Sequence, residues 1–85
     1  MKQFSYVITD KEGIHARPAG LFVKQAGKYS SKITITKGEK SGDAKRIFAV
    51  MGLGAKMGET VTITWDGPDE ADAAAALEAF MKENL

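Results

Sequence analysis

The residues best suited to chemistry in this chain are its single histidine, His15, and a nearby arginine, Arg17. Both stand in the segment Gly13–Ala19, which has the sequence GIHARPA. A neutral imidazole nitrogen is a nucleophile, and a guanidinium presents a planar set of donors that matches phosphate oxygens. The pair therefore indicates an anion-binding or phosphoryl-accepting site.

The local pattern predicts that this pair lies at the start of a helix. Apolar residues recur at helical spacing and the run ends at Gly27; they are Ala19, Phe22, Val23 and Ala26. His15 then falls in the N-cap region and Pro18 in the first turn, where a missing N–H interrupts no intrahelical bond. Free N–H groups and the positive end of the helix dipole make such a position a natural anion site.

A purely structural role for His15 is the alternative, because a histidine before a helix is usually a cap or a solvated side chain. Ser, Thr, Asp or Asn would cap the helix better, however. Arg17 in the first turn also opposes the helix dipole. Both choices are locally unfavourable, which favours a functional interpretation.

Composition limits the other possibilities. The chain has 85 residues, 44% of them hydrophobic, which predicts one small domain over residues 1–85. The absence of cysteine and the single histidine exclude disulfides, thiolate nucleophiles and multi-histidine metal sites, so no metal or cofactor is expected. No apolar run approaches the ~20 residues of a membrane helix, and the first residues lack a signal-peptide core. We therefore expect a cytoplasmic protein with no membrane insertion.

Charge is distributed unevenly along the chain. The stretch from Arg17 to Lys56 contains nine bases and two acids, a net charge of +7. The stretch from Met57 to Leu85 contains one base and seven acids, a net charge of −6. Such polarity is suited to an acidic partner or to phosphate, although both groups of charges can equally be solvated surface.

The remaining pattern predicts an α+β fold. Alternating polar and apolar residues predict strands near residues 4–9, 32–36 and 60–65, and a turn at 37–40 leads into a further short strand. A short apolar segment at 46–53 predicts a small helix, and Pro68 is expected just inside the first turn of a last helix. The order is βαββαβα, an open-faced β-sandwich with three helices on one face of a four-stranded antiparallel sheet.

The segment Gly13–Ala19 closely resembles the active-site signature of the HPr family, the histidine-containing phosphocarriers of the bacterial sugar phosphotransferase system. The resemblance extends over the whole chain in length and element order. It implies that His15 carries the phosphoryl group on Nδ1, that Arg17 assists, and that the backbone around Ala16 and Arg17 binds phosphate oxygens. It also implies a phosphocarrier rather than a stand-alone enzyme. Its partners would be Enzyme I, which draws on phosphoenolpyruvate, and sugar-specific IIA domains; we expect a monomer.

The short helix carries apolar residues whose role the sequence leaves open. Ile47, Phe48 and Met51 share one face of it. Any one of them is more often core than surface. The family resemblance instead implies an exposed docking patch at 47 and 48, which Met51 and Leu21 could extend and Lys24 would border.

The sequence departs from part of the family at Arg46. Many Gram-positive carriers have a regulatory serine at this position, the target of an ATP-dependent kinase that links the carrier to carbon catabolite repression. Arg46 offers no hydroxyl, so that regulation is not expected here, whereas the role implied for His15 is unaffected.

Two other classes of function compete with a carrier. The basic stretch could belong to a nucleic-acid-binding module, but the strands expose threonines rather than stacking aromatic residues. The chain could also be an interaction domain in which His15 is incidental. A hydrolase triad lacks its parts, since there is one histidine, no cysteine and no obvious serine elbow.

Overall fold

The computed structural model describes all residues from 1 to 85 and contains one four-stranded sheet. The strands are β1 (Lys2–Val7), β2 (Lys32–Lys37), β3 (Lys40–Asp43) and β4 (Thr60–Asp66). They lie in the order β1-β4-β2-β3, and every neighbouring pair is antiparallel. The predicted antiparallel sheet is confirmed.

Three helices cover one face of this sheet: α1 (Ala16–Ala26), α2 (Ile47–Met51) and α3 (Glu70–Asn84). Alternate strand side chains face the helices and are buried, namely Ile33, Ile35, Val61, Ile63 and Trp65. The helices bring apolar stripes to the same core, where the rings of Phe22 and Phe80 lie 6.0 Å apart. The βαββαβα open-faced sandwich is therefore confirmed, because each one-sided apolar pattern finds its partner in the other layer.

The other face of the sheet is polar. The hydroxyl groups of Ser5 and Thr62 are 3.0 Å apart across β1 and β4, and Thr34 stands opposite Thr64 across β2 and β4. Strand aromatic residues face the helices instead: Phe4 and Tyr6 pack against the core and Trp65 is buried. This face therefore lacks the exposed rings that stack on single-stranded nucleic acids.

A carboxylate joins the start of α3 to the segment before β2. Asp69 accepts the backbone N–H groups of Ser30 and Ser31 at 2.8 and 2.9 Å, and both serine hydroxyls also donate to it. These bonds, the Ser31 hydroxyl first, lower the pKa of Asp69 to about 2. Asp69 is the N-cap residue and α3 begins at Glu70, so the expectation that Pro68 lies inside the first turn is wrong. The helix starts later because the chain must first place Asp69 against the two serines.

None of the three helices combines the length and the apolar character that a membrane span requires.

Candidate functional site

The loop before α1 is a tight turn built on Asp10. The Asp10 side chain accepts the Glu12 N–H at 2.8 Å, and the Asp10 carbonyl accepts the Gly13 N–H at 3.0 Å. Gly13 has a φ of +68°, and a Cβ at this residue would lie 2.3 Å from the Ala55 carbonyl oxygen. Only glycine fits both the left-handed conformation and the close backbone approach.

The next residue anchors this loop to the core. Ile14 is buried, and its N–H donates to the Ala55 carbonyl at 3.0 Å. The loop that contains Ala55 is itself held by Glu59, whose carboxylate accepts the Lys56 N–H at 2.7 Å and lies 3.4 Å from Lys37 Nζ. The bond from Lys56 is the main reason why the pKa of Glu59 is lowered. The backbone that leads into His15 is therefore held in place by the bond between Ile14 and the loop that contains Ala55.

His15 is the N-cap residue of α1, as predicted. Its backbone is extended, with φ −98° and ψ −177°, and its carbonyl accepts the Ala19 N–H at 3.0 Å. Its side chain makes no capping hydrogen bond and is 36% exposed, so the ring is not used as a cap. The imidazole is accessible and stands at the positive end of the helix.

The first turn of α1 leaves two backbone donors free. The N–H groups of Ala16 and Arg17 precede the first intrahelical bond and donate to no other group in the protein. The third residue of the turn is Pro18, which has no N–H. The helix thus presents two unpartnered N–H groups beside the His15 ring, an arrangement that suits anionic oxygens.

His15 and Arg17 line one open depression on the surface. Its other residues come from the turn, from α1 and from the last residues of α3: Asp10, Pro18, Leu21, Glu83 and Asn84. The Arg17 side chain is exposed and makes no ion pair. Its guanidinium is therefore available to a ligand bound at the histidine.

Sequence reasoning missed the acidic residues around His15. Glu83 comes from the opposite end of the chain, and no local pattern indicates that α3 ends at this depression. The proximity of Glu12 could have been recognised from the sequence, because Glu12 stands three residues before His15. Its Oε2 atom lies 3.2 Å from His15 Nε2.

The residues of the expected docking patch divide into exposed and half-buried positions. Phe48 is 86% exposed, and Leu21 and Met51 are exposed too. Ile47 is half-buried and packs against the core, and Lys24 is exposed on α1. The helices α1 and α2 pack together, with Gly20 near the Ile47 side chain. Leu21 on α1 and Phe48 and Met51 on α2 therefore present exposed apolar surface on two helices that pack together, and we call these three residues the apolar patch.

Arg46 is the N-cap residue of α2. Its backbone is extended, with φ −120° and ψ 117°, and its carbonyl accepts the Val50 N–H at 3.1 Å. Its exposed side chain makes no capping hydrogen bond. The position therefore has the geometry that a capping serine would use, but it holds a cation.

Comparison with known proteins identifies relatives of this chain. Residues 2–83 match the family model described as "PTS HPr component phosphorylation site". The phosphocarrier protein HPr of Mycoplasma capricolum is 47% identical over 81 residues, which cover 95% of this chain and 91% of that protein.

Solved structures of related proteins have the same fold. A mycoplasma histidine-containing phosphocarrier protein superposes with a TM-score of 0.94 at 45% identity, covering 96% of this chain and 93% of that one. An HPr from Bacillus anthracis gives a TM-score of 0.87 at 38% identity, covering 94% and 95%.

The open-faced sandwich and these relatives define a class of small phosphocarrier proteins, which are not catalysts in their own right. The chain belongs to the HPr family of the phosphotransferase system.

Proposed function

We propose that this protein accepts a phosphoryl group on Nδ1 of His15 from phosphorylated Enzyme I and donates it to sugar-specific IIA domains. The observation that carries the proposal is the accessible His15 ring beside the free N–H groups of Ala16 and Arg17. The chain acts as one phosphocarrier domain over residues 1–85. It works as a cytoplasmic monomer and needs no cofactor or metal.

Each element of the site has a task in the transfer. The Nδ1 lone pair attacks phosphorus while the bond between phosphorus and the donor breaks, and the donor keeps that electron pair. The two free N–H groups receive the oxygens of the arriving group, and the Arg17 guanidinium adds charge-assisted donors. The exposed setting limits this stabilisation, which suits a carrier that must release its cargo.

The partner surface in this proposal is the apolar patch, of which Leu21 lines the same depression as His15. Leu21, Phe48 and Met51 offer exposed apolar contacts, and Lys24 supplies a basic edge. Ile47 supports the patch from below, since it packs against the core. Enzyme I and IIA domains would therefore dock on the apolar patch and reach His15 at its border.

Phosphorylation with purified components tests the proposal. The protein is incubated with phosphoenolpyruvate and Enzyme I, and intact mass is measured together with the lability of the adduct. We expect one phosphoryl group, acid-labile and alkali-stable, located at His15. His15→Ala should gain none, and undiminished labelling of that variant would refute the assignment.

A further inference from the structure

A single carboxylate, that of Glu12, lies within ion-pair distance of a His15 ring nitrogen. The Glu12 Oε2 atom lies 3.2 Å from His15 Nε2, with the Glu12 side chain 74% exposed and the His15 side chain 36% exposed. The contact engages the ring nitrogen that is not the proposed phosphoryl acceptor. It therefore acts on the state of the ring without occupying the position of the incoming group.

The turn before α1 places this carboxylate. The Glu12 N–H is fixed to the Asp10 side chain at 2.8 Å, and the left-handed Gly13 turns the chain toward Ile14 and His15. Since Ile14 is buried and bonded to Ala55, the backbone between Glu12 and His15 has little freedom. The backbone of Glu12 is thus held where its side chain can reach the imidazole.

We infer that Glu12 is a positioning residue that keeps a proton on Nε2 of His15 and thereby leaves the lone pair on Nδ1. The inference rests on the proposed function, because it concerns the same acceptor atom. A neutral imidazole has one N–H and one lone pair, and the partner of one nitrogen decides which nitrogen carries the proton. The negative charge of the Glu12 carboxylate, 3.2 Å from Nε2, favours a proton on that nitrogen and so the Nε2–H form.

The same contact serves both directions of transfer. When Nδ1 bonds to phosphorus, the ring keeps its Nε2 proton and becomes cationic, and the Glu12 carboxylate balances that charge. When the phosphoryl group leaves, the electron pair of the N–P bond returns to Nδ1. The departing ring is then a neutral imidazole, so no proton has to be gained or lost during the step.

Three other charged side chains border the depression that contains the His15 ring. They are Asp10, Arg17 and Glu83, and neither of the two carboxylates among them is within ion-pair distance of the imidazole. The Asp10 carboxylate is already engaged by the Glu12 N–H. Glu12 is therefore the group that controls Nε2.

Nitrogen NMR of the unphosphorylated protein tests the inference directly. At alkaline pH, the ¹⁵N signals of the His15 ring should show the proton on Nε2 in the wild type. Glu12→Ala should shift these signals toward a mixture of both forms. Glu12→Gln lacks the charge and offers the ring both a donor and an acceptor, so it should also shift the signals toward the mixture. Glu39→Ala, which removes an exposed acid from the turn between β2 and β3, is the matched control and should change nothing.

Transfer rates complete the test. Glu12→Ala should slow phosphorylation of His15 by Enzyme I about two- to fivefold, the effect expected when an exposed charge partner is lost, and Glu12→Gln, which also lacks the charge, should be slowed to a similar extent. The thermal unfolding midpoint should not move, because Glu12 is exposed. Unchanged ring signals in Glu12→Ala, or a wild-type ring protonated on Nδ1, would overturn the inference. Failure of the proposed function would look different: the NMR signature would persist while the wild type gained no phosphoryl group.

Discussion

Gly13 passes so close to Ala55 that a Cβ on Gly13 would lie 2.3 Å from the Ala55 carbonyl oxygen. That carbonyl also accepts the Ile14 N–H, so the acceptor loop and the loop before β4 are locked together immediately before His15. A methyl group at residue 13 must push the two backbones apart. The same contact therefore supports both the stability of the fold and the geometry of the site.

Gly13→Ala should both destabilise the protein and slow phosphoryl transfer. The left-handed backbone costs a residue with a Cβ about 1–2 kcal/mol, and the displaced backbone adds about 1–3 kcal/mol more. Gly38→Ala is the control, because Gly38 also has a positive φ, +60°, but a Cβ there meets nothing within 4 Å. Urea unfolding of both variants measures the difference; equal destabilisation would contradict the role given to the contact with Ala55.

Arg17→Ala should slow transfer while leaving stability nearly unchanged. The guanidinium is exposed and has no ion-pair partner, so folding gains little from it. A charged hydrogen bond to the transferred group is worth about 1.5–3 kcal/mol, which corresponds to a rate loss of about 10- to 150-fold. Lys28→Ala removes an exposed cation just beyond α1 and should leave the rate unchanged. Normal transfer with a large fall in melting temperature would make Arg17 a structural residue instead.

Local parts of the site could be predicted from the sequence, and distant parts could not. The helical spacing after Ala16 and the proline at 18 were sufficient to place His15 at the N-cap, because both signals act within one turn. Glu83 approaches the same depression only through the packing of α3 on the sheet, which no short pattern encodes. Pro68 was misplaced because the start of α3 depends on a tertiary contact between Asp69 and Ser30 and Ser31.

The spacing of Phe48 on the short helix is compatible with either the core or the surface, and the structure places the ring on the surface. Phe48→Ala should therefore weaken binding to Enzyme I by about 1 kcal/mol or more, as expected for an exposed aromatic anchor. Its free energy of unfolding should change by less than about 0.5 kcal/mol, since the ring is 86% exposed. Calorimetric titration and urea unfolding of the same variant separate the two effects.

Val7→Ala provides the control for Phe48. Val7 is an exposed apolar residue of β1, in a strand that alternates with the core-facing Phe4 and Tyr6. It lies outside the apolar patch, so its truncation should not affect binding. Equal weakening by both substitutions would show that the loss reflects general surface hydrophobicity rather than docking.

Because of Asp69, the stability of the folded protein should decrease at acidic pH. Its pKa is lowered from 3.8 to about 2 by the hydrogen bonds from Ser31 and Ser30, so the folded state binds a proton more weakly than the unfolded state. The stabilisation is fully present above pH 3.8 and is lost as the pH falls toward 2. Melting temperatures measured across this range should drop in the wild type, and Asp69→Asn should flatten that part of the curve. Asp72→Asn, at an exposed acid of the same helix, should retain the drop.

Arg46 should prevent regulation by a serine kinase at α2. Phosphoryl transfer from ATP to this position needs a hydroxyl nucleophile, and a guanidinium offers none. Its positive charge is also opposite to that of phosphoserine, so it cannot replace the modified residue in a partner complex. Three other serines lie away from the N-cap of α2. Ser30 and Ser31 donate to Asp69, and Ser41 lies in β3.

Arg46→Ser should create a kinase substrate without disturbing the fold. The extended backbone at residue 46 is already that of an N-cap, so a serine hydroxyl can bond to a free N–H of the first turn and stabilise α2 by about 0.5–1 kcal/mol. Wild type, Arg46→Ser and Arg46→Ala are treated with the kinase of a serine-bearing relative and ATP, and the phosphate is located by mass spectrometry. Labelling should occur in Arg46→Ser alone, at residue 46, because only this variant combines the helix position with a hydroxyl. Robust labelling of the wild type at Ser30, Ser31 or Ser41 would mean that the regulatory site has moved along the chain, and the prediction would be wrong.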